Sequence, residues 1–539
     1  MMRPLTTPNV YTPCHYTTNR ALLNNTAVNI TFDEVLRMDD VAWFDWLDRV
    51  RHAVLTAWNV DGVPPRVGLS DNEMTDAWDK FAAADPSSVW VRCDDGTEAL
   101  LVPPGSHSVV NQFFPTMMST KIVTSSKNDG KSIYDMFADD ATWARYRKSY
   151  ATRHFRRDSF FAYSRAIHSH EAVPGTDIVA TSAHQYLTLL HNHLESMPSD
   201  IFGNITEATH GVWLSPATAD DEYDGYSTHI KERSVWTVSS EDALSWKASG
   251  TFPSHWFTAV APANKKSHYM LRLYETNARI FPMGFRSFRI SLTQYAVNWP
   301  ALGARALYER YTTGVSQPVI WDPSSGWAGR LAGAVTSRTR PIYIGCDPNT
   351  DHLWVDDAGV QHSKYTEIAA YHASRTPFDA PPKVLFFPCG SEVMKDQPAF
   401  QEYRGKVDVV FTSPPYFHRE LYSNDPEQSA HKFSGFEDWC EGFLKPTLET
   451  AAEWLKPGGV LLWNIADIKE GGKFLPLEQR SIEYATAAGL IQGGTIRLLM
   501  AGMPGANRIS DEGKGTAKNT CLVKGRVAKF EPIFVFRKL

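Results

Sequence analysis

The chain has 539 residues, 43% of them hydrophobic and 21% charged, which is an ordinary globular composition on a chain too long for one compact core, so two or three domains are expected. Its 54 Lys and Arg against 60 Asp and Glu leave a net charge of −6, which excludes a wholly cationic nucleic-acid coat but allows a local basic surface. The six cysteines, at 14, 93, 346, 389, 440 and 521, form no CxxC pair and no run is apolar enough to span a bilayer, so a zinc ribbon, a disulfide scaffold and a membrane protein are excluded and a reducing, cytoplasmic location is expected.

Residues 1–295 are aromatic-rich and irregular, without a detectable repeat, and no fold is assigned to them. One helix is well signalled there. Thr31 and Glu34 form a capping box, and Val41, Phe44, Leu47, Val50 and Val54 recur at helical spacing. Further on, Arg145, Arg147, Lys148, Arg153, Arg156 and Arg157 interleave with Trp143, Tyr146 and Phe155, with Asp158 close by. Such a stripe suits phosphate contact and base stacking, and equally a solvated helix face with a buried aromatic side. A segment around Tyr186, Leu187, Leu190 and Leu194 carries His184, His191 and His193 at a spacing that fits no usual zinc pattern, so no metal is assigned.

From residue 296 the texture changes to short apolar runs that end in a small or acidic residue and are followed by helical segments. They are 318–322, 341–347, 384–387, 407–411 and 460–465, and a last run, 530–536, reads as a closing strand at the sheet edge. Strands alternating with helices imply a parallel sheet covered on both faces, with ligands beyond the carboxyl ends of its strands. The first run leads into Asp322-Pro-Ser-Ser-Gly326-Trp-Ala-Gly329, a glycine-rich strand-to-helix turn that lets backbone approach a ligand closely, and that is also compatible with a plain tight connection. Asp347, at the end of the second run, stands where nucleoside-binding α/β folds hold a ribose hydroxyl pair. The loop lacks the Gly-Lys-Ser/Thr ending of a nucleoside-triphosphate loop.

The fourth run ends in Thr412-Ser413-Pro414-Pro415-Tyr416. Two prolines remove two backbone donors and hold the chain extended, leaving carbonyl acceptors. An exocyclic base amine is a poor nucleophile because its lone pair is delocalised into the ring. Hydrogen bonds from its N–H groups to the Ser413 hydroxyl and the Pro414 carbonyl would localise that pair, and Tyr416 could stack on a base swung out of its helix.

These residues resemble the S-adenosylmethionine-dependent DNA amino-methyltransferases, which methylate N4 of cytosine or N6 of adenine and whose motif (Asp/Asn/Ser)-Pro-Pro-(Tyr/Phe) is met by Ser413, Pro414, Pro415 and Tyr416. The Asp322 loop is similar to their first motif and Gly345-Cys-Asp347-Pro-Asn349 to their second. Glu420, Tyr422, Gln428-Ser429, Trp439 and Lys456-Pro-Gly-Gly459 also look like a phage and restriction-modification subgroup. The resemblance implies an α/β, Rossmann-like class I methyltransferase domain over 296–539. Residues 1–295 would then be a mixed, aromatic-rich target-recognition or accessory region. It further implies S-adenosyl-L-methionine as cofactor, held by Asp322, Ser324, Gly326, Gly329, Asp347 and Asn349, with double-stranded DNA as partner, a monomer or homodimer, in a bacterial or phage-infected cell. Serine at the first motif position leans toward N4 of cytosine. Methylation of RNA, or a nucleic-acid-binding protein that has kept the fold without the chemistry, are the alternatives.

Two features depart from the family pattern. Trp327 and Ala328 replace the commoner small residues, and Pro388-Cys389-Gly390-Ser391 stands where an acid usually ends the third strand. Pro388-Cys389 also raises methylation at cytosine carbon 5, which uses a Pro-Cys nucleophile, but that nucleophile belongs after the fourth strand, where Ser413 stands. The spacing between Asp322 and Ser413 leaves no room for a separate reading domain, which places DNA recognition in residues 1–295, helped by Arg508, Lys514 and Lys518.

Overall fold

Each of the apolar runs after residue 296 forms a strand. The computed structural model describes residues 3–8, 11, 21, 22, 24–30, 34, 38, 40–62, 71–103, 109–123, 131–149, 211–214, 235–238, 296–356, 358–376, 382–470, 473–500 and 519–539. Among these the strands are β1 (Leu5–Thr6), β2 (Trp90–Arg92), β3 (Glu98–Leu100), β4 (Lys121–Ile122), β5 (Gly211–Leu214), β6 (Val235–Val238), β7 (Val319–Asp322), β8 (Ile342–Cys346), β9 (Leu353–Val355) and β10 (Gln361–Ser363). They continue with β11 (Val384–Phe387), β12 (Val407–Thr412), β13 (Glu420–Leu421), β14 (Leu455–Asn464), β15 (Ile468–Glu470), β16 (Lys473–Leu475), β17 (Ile491–Leu499), β18 (Thr520–Val523) and β19 (Arg526–Arg537).

The chain divides into two compact units, and the division does not fall at 295/296. One unit joins Met1–Tyr16, Gly68–Asp135 and Thr293–Leu539, and the other joins Thr17–Val67 and Met136–Leu292. The first unit holds an eleven-stranded sheet in the order β1-β11-β8-β7-β12-β14-β19-β17-β3-β2, with β18 pairing β19. β11, β8, β7, β12 and β14 run parallel. Numbered by sequence these are the third, second, first, fourth and fifth strands of the core, the order of a doubly wound Rossmann-like sheet whose switch point lies between β7 and β12. β19 enters antiparallel between β14 and β17. The expectation of an edge strand over 530–536 is therefore corrected: β19 is interior, and β1 and β2, both from the N-terminal part of the chain, form the edges.

Side-chain alternation explains why these strands read as unbroken apolar runs. Ile320, Tyr343, Phe386, Val409, Phe411 and Leu462 pack on one face with Leu302, Leu307, Leu331 and Ile368 from the helices Ala301–Tyr311, Gly329–Val335 and Lys364–Arg375. Trp321, Ile344, Leu385, Phe387, Val410, Leu461 and Trp463 pack on the other with Leu448, Trp454 and Leu477 from the helices Lys445–Trp454 and Leu477–Ala487. A sheet covered on both sides needs apolar residues at every position. Among the described residues no helix is long and apolar enough to cross a membrane.

In the second unit the expected helix spans Asp40–Asp61. Its buried face is Trp43, Trp46, Leu47, Val50, Val54, Ala57 and Trp58, whereas Val41, counted with the core from its spacing, is 69% exposed because it begins the helix one residue away from that stripe. Trp143, on the helix Asp140–Ser149, donates to Asp48 Oδ1 at 2.7 Å. Thr31 of the proposed capping box and His184, His191 and His193 lie outside the described residues. So do Arg153, Arg156, Arg157, Arg508, Lys514, Lys518 and the side chains of Arg145, Arg147 and Lys148.

Candidate active site

β7 and β12 are neighbours, so the loops that leave their carboxyl ends, at Asp322 and Ser413, emerge side by side at the switch point. The first loop is built around a buried ion pair. Asp322 is wholly buried, and its Oδ2 accepts from Arg330 Nε at 2.9 Å and from the Tyr343 hydroxyl at 2.6 Å. Arg330 also donates to the Ser324 carbonyl, tying the helix back to the loop that precedes it. Gly326 takes a φ of +53°, a conformation that favours glycine, and Ala328 takes +59°. The Gly326 carbonyl accepts from the Tyr365 hydroxyl at 2.6 Å, and Tyr365 in turn meets His352 Nδ1 at 2.8 Å.

Gly329 serves packing. Its N–H donates to Asn298 Oδ1 at 3.1 Å, and a Cβ on it would stand 2.1 Å from the Trp299 carbonyl oxygen. Asn298 also donates to the Trp327 carbonyl at 2.8 Å, so one buried amide clamps both sides of the turn. Gly329→Ala should accordingly lower stability by about 1–3 kcal/mol or more, because the obstacle is backbone and cannot swing away. A denaturant titration in which the midpoint does not move would contradict that packing role.

Asp347 follows β8 and is half-buried. Its Oδ2 accepts from the Gly326 N–H at 2.9 Å and its Oδ1 from the Asn349 N–H at 3.0 Å. Burial raises its carboxyl to about 6 against the pull of those two donors. Of the residues expected at the cofactor, Gly326, Ser324 and Asp347 keep exposed surface, while Asp322, Gly329 and Asn349 are buried behind them. Asn349 is spent on the local turn, where its Oδ1 accepts from the Asp351 N–H at 3.1 Å.

An acid does stand near the end of the third core strand, slightly later than the motif pattern suggests. Glu392 follows β11 in the turn Ser391–Asp396, is 8% exposed, and holds Lys432 at 3.0 Å through Oε1. Its Oε2 is buried and has no hydrogen-bond partner among the described residues. Cys389, beside it, faces Met394 Sδ at 3.7 Å, and burial followed by the Glu392 charge pushes its thiol up to about 12. A thiol so held stays protonated at neutral pH and is a poor nucleophile.

On the second loop, Ser413, Pro415 and Tyr416 are half-exposed and Pro414 is buried. Phe417 is held at a φ of +53°, a strained state for a large side chain, and is anchored by contacts with Phe436 and Trp439 at ring separations of 5.7 and 5.9 Å. The strain lies directly after the four motif residues and turns the chain back toward β13. There Glu420 pairs with Ile122 and Leu421 with Lys121 of β4, so an N-terminal segment forms one wall of the site. Tyr422 donates to Glu420 and lies edge-on to Trp327 at 5.2 Å, which joins the second loop to the first. Asn298, Tyr365 and Glu392 carry no motif signal, and Asn298 and Tyr365 are recognisable only by the loop they hold.

No family model and no curated protein matches the chain. Among solved structures it is similar over 45% of its length to TrmN from Thermus thermophilus, at 14% identity and a TM-score of 0.26, a match that spans about half (49%) of that chain. It is similar over 45% to precorrin-6y C5,15-methyltransferase from Geobacter metallireducens, at 11% identity and a TM-score of 0.24, covering 90% of that chain. Over 46% it is similar to the antibiotic-resistance methyltransferase Kmr, at 14% identity and a TM-score of 0.24, covering 96% of that chain.

Proposed function

We propose that the chain is an S-adenosylmethionine-dependent methyltransferase acting on an exocyclic base amine of double-stranded DNA, N4 of cytosine before N6 of adenine. The observation that carries this reading is the adjacency of the Asp322–Asp347 loops and Ser413-Pro-Pro-Tyr416 at the switch point of a Rossmann-like sheet. The residues present fit the cofactor. Asp347 offers a half-buried carboxylate for a ribose diol, Gly326 leaves open space beside its backbone, and the orphaned Glu392 Oε2 is a buried acceptor suited to an amino donor. When bound, S-adenosylmethionine supplies a methyl group activated by its positively charged sulfur. Ser413 and the Pro414 carbonyl accept from the target amine and localise its lone pair, the half-exposed Tyr416 ring stacks on the base, and alignment supplies most of the rate.

Asp347 gives this reading a pH signature. The ribose hydroxyls donate to an ionised carboxylate, and the carboxyl titrates near 6, so cofactor affinity should rise about tenfold between pH 5 and pH 7 and level off above. Calorimetry checks this. A flat profile, or an Asp347→Asn variant that keeps the slope, would place the cofactor elsewhere. Transfer of labelled methyl to duplex DNA against RNA tests the substrate. Label entering RNA alone would move the activity to RNA.

A further inference from the structure

The turn between β2 and β3 is laid against β18 and the turn that follows it, and two cysteines meet where they touch. The Asp94 N–H donates to the Leu522 carbonyl at 2.9 Å, and the Asp94 carboxylate accepts from the Lys524 and Gly525 N–H groups at 2.8 and 2.9 Å. One residue before the Asp94–Leu522 contact on each chain, Cys93 Sγ stands 3.6 Å from Cys521 Sγ. Both residues belong to the sheet unit, but they are 428 residues apart in sequence, so no local spacing marks them as a pair. Cys93 is buried with Ala99 and Leu499, and Cys521 is half-buried against that cluster beside Val523, Ala528 and Phe530.

We propose that Cys93 and Cys521 are a redox site, oxidised by a low-molecular-weight disulfide to a cystine that clasps the β2–β3 turn to β18. The proposal stands independently of the methyltransferase reading. Cys521, the more exposed sulfur, attacks as thiolate one sulfur of the small disulfide, which forms a mixed disulfide and expels one thiolate. Cys93 then attacks Cys521 Sγ, which forms the protein disulfide and expels the second. Two electrons pass from the protein sulfurs to the small disulfide, which leaves as two thiols carrying the two protons that the cysteines lost.

The geometry suits closure. The bonded sulfurs of a cystine lie about 2.0 Å apart, so each must move by about 0.8 Å, within reach of rotation about the Cα–Cβ bonds while the Asp94 contacts hold the backbones. The edge so clasped is weakly held, because β3 joins β17 through only two pairings, Ala99 with Arg497 and Leu100 with Leu498. Burial, and then Cys93, push the Cys521 thiol up to about 12. The charged groups facing it are Arg497 from β17 and Asp95 from the β2–β3 turn, themselves paired at 2.7 Å. Exchange is therefore slow at neutral pH and quickens about tenfold per pH unit, so the clasp answers sustained oxidation rather than a brief pulse.

The test is a non-reducing peptide map of the full-length protein equilibrated with reduced and oxidised glutathione at rising oxidised fraction. Wild type should yield a cross-linked peptide pair joining Cys93 to Cys521, which dithiothreitol separates. Oxidation should also slow hydrogen exchange at the Asp94 and Lys524 amides on the order of 100-fold, because opening this edge must then work against a covalent tie. Cys93→Ser should stop at a glutathione adduct on Cys521 and lose the exchange shift, which a cysteine that only fills space would not do. In wild type, both thiols free at the most oxidising ratio, a glutathione adduct on Cys521 without the cross-link, or a cross-link of either residue to a different cysteine overturns the proposal. So does a Cys93–Cys521 cross-link that leaves exchange at Asp94 unchanged, since the edge would not be clasped.

Discussion

Replacing Asp322 with alanine should destabilise the sheet unit by about 3–5 kcal/mol, the largest single loss expected from any change near the site. The carboxylate is wholly buried, Arg330 is 6% exposed at the side chain, and the two meet at 2.9 Å. Removing the acid leaves a guanidinium in the core without its counter-charge and strips the Tyr343 hydroxyl of its acceptor. The pair also determines where Ser324 lies, so the surviving folded protein should bind cofactor weakly as well. Arg330→Met should cost a similar amount alone, and adding it to an Asp322→Leu variant should recover most of the loss, because no charge is then stranded. Chemical denaturation of these variants measures this. A loss below about 1 kcal/mol for Asp322→Ala would mean that the ion pair is not what holds the loop.

Ser413→Ala and Tyr416→Ala should each lower methyl transfer on the order of 100-fold while leaving cofactor affinity within about twofold. Ser413 supplies an acceptor for the amine, and its loss removes stabilisation needed only as the nitrogen becomes electron-poor. Tyr416→Ala removes the stacking platform, and its hydroxyl is buried rather than reaching into solvent. Cys389→Ser should retain transfer, since that thiol points at Met394 and stays protonated. Calorimetry and single-turnover kinetics on the same preparations separate binding from chemistry. Unchanged rates in both motif variants would remove Ser413-Pro-Pro-Tyr416 from the chemistry.

The parts of this fold that the sequence announced are those in which one residue type recurs for a physical reason. β7, β8, β11, β12 and β14 are covered on both faces, so each is a continuous apolar run, and the turns after β7 and β12 carry the glycines and prolines that their backbones require. The interior place of β19 could not be read locally, because an antiparallel strand between β14 and β17 depends on pairings such as Leu461 with Phe536 and Thr495 with Phe534. β1, β2 and β3 span only two or three residues each; β1 and β3 join the sheet through pairings nearly four hundred residues away, as in Leu5 with Phe386 and Leu100 with Leu498, and β2 is carried on β3. The same holds within the site. Ser413, Tyr416 and Asp347 sit in motifs, whereas Glu392 is an ordinary acid in sequence and becomes unusual only when folding buries it with one carboxylate oxygen unpartnered.

Nucleoside mass spectrometry of duplex DNA incubated with the protein and S-adenosylmethionine tests the assignment of Ser413-Pro-Pro-Tyr416 to amine methylation most directly. N4-methylcytosine is the expected product, and N6-methyladenine would change the base but keep the mechanism. Finding 5-methylcytosine as the only product, or no methylated base from protein that binds the cofactor, would contradict it.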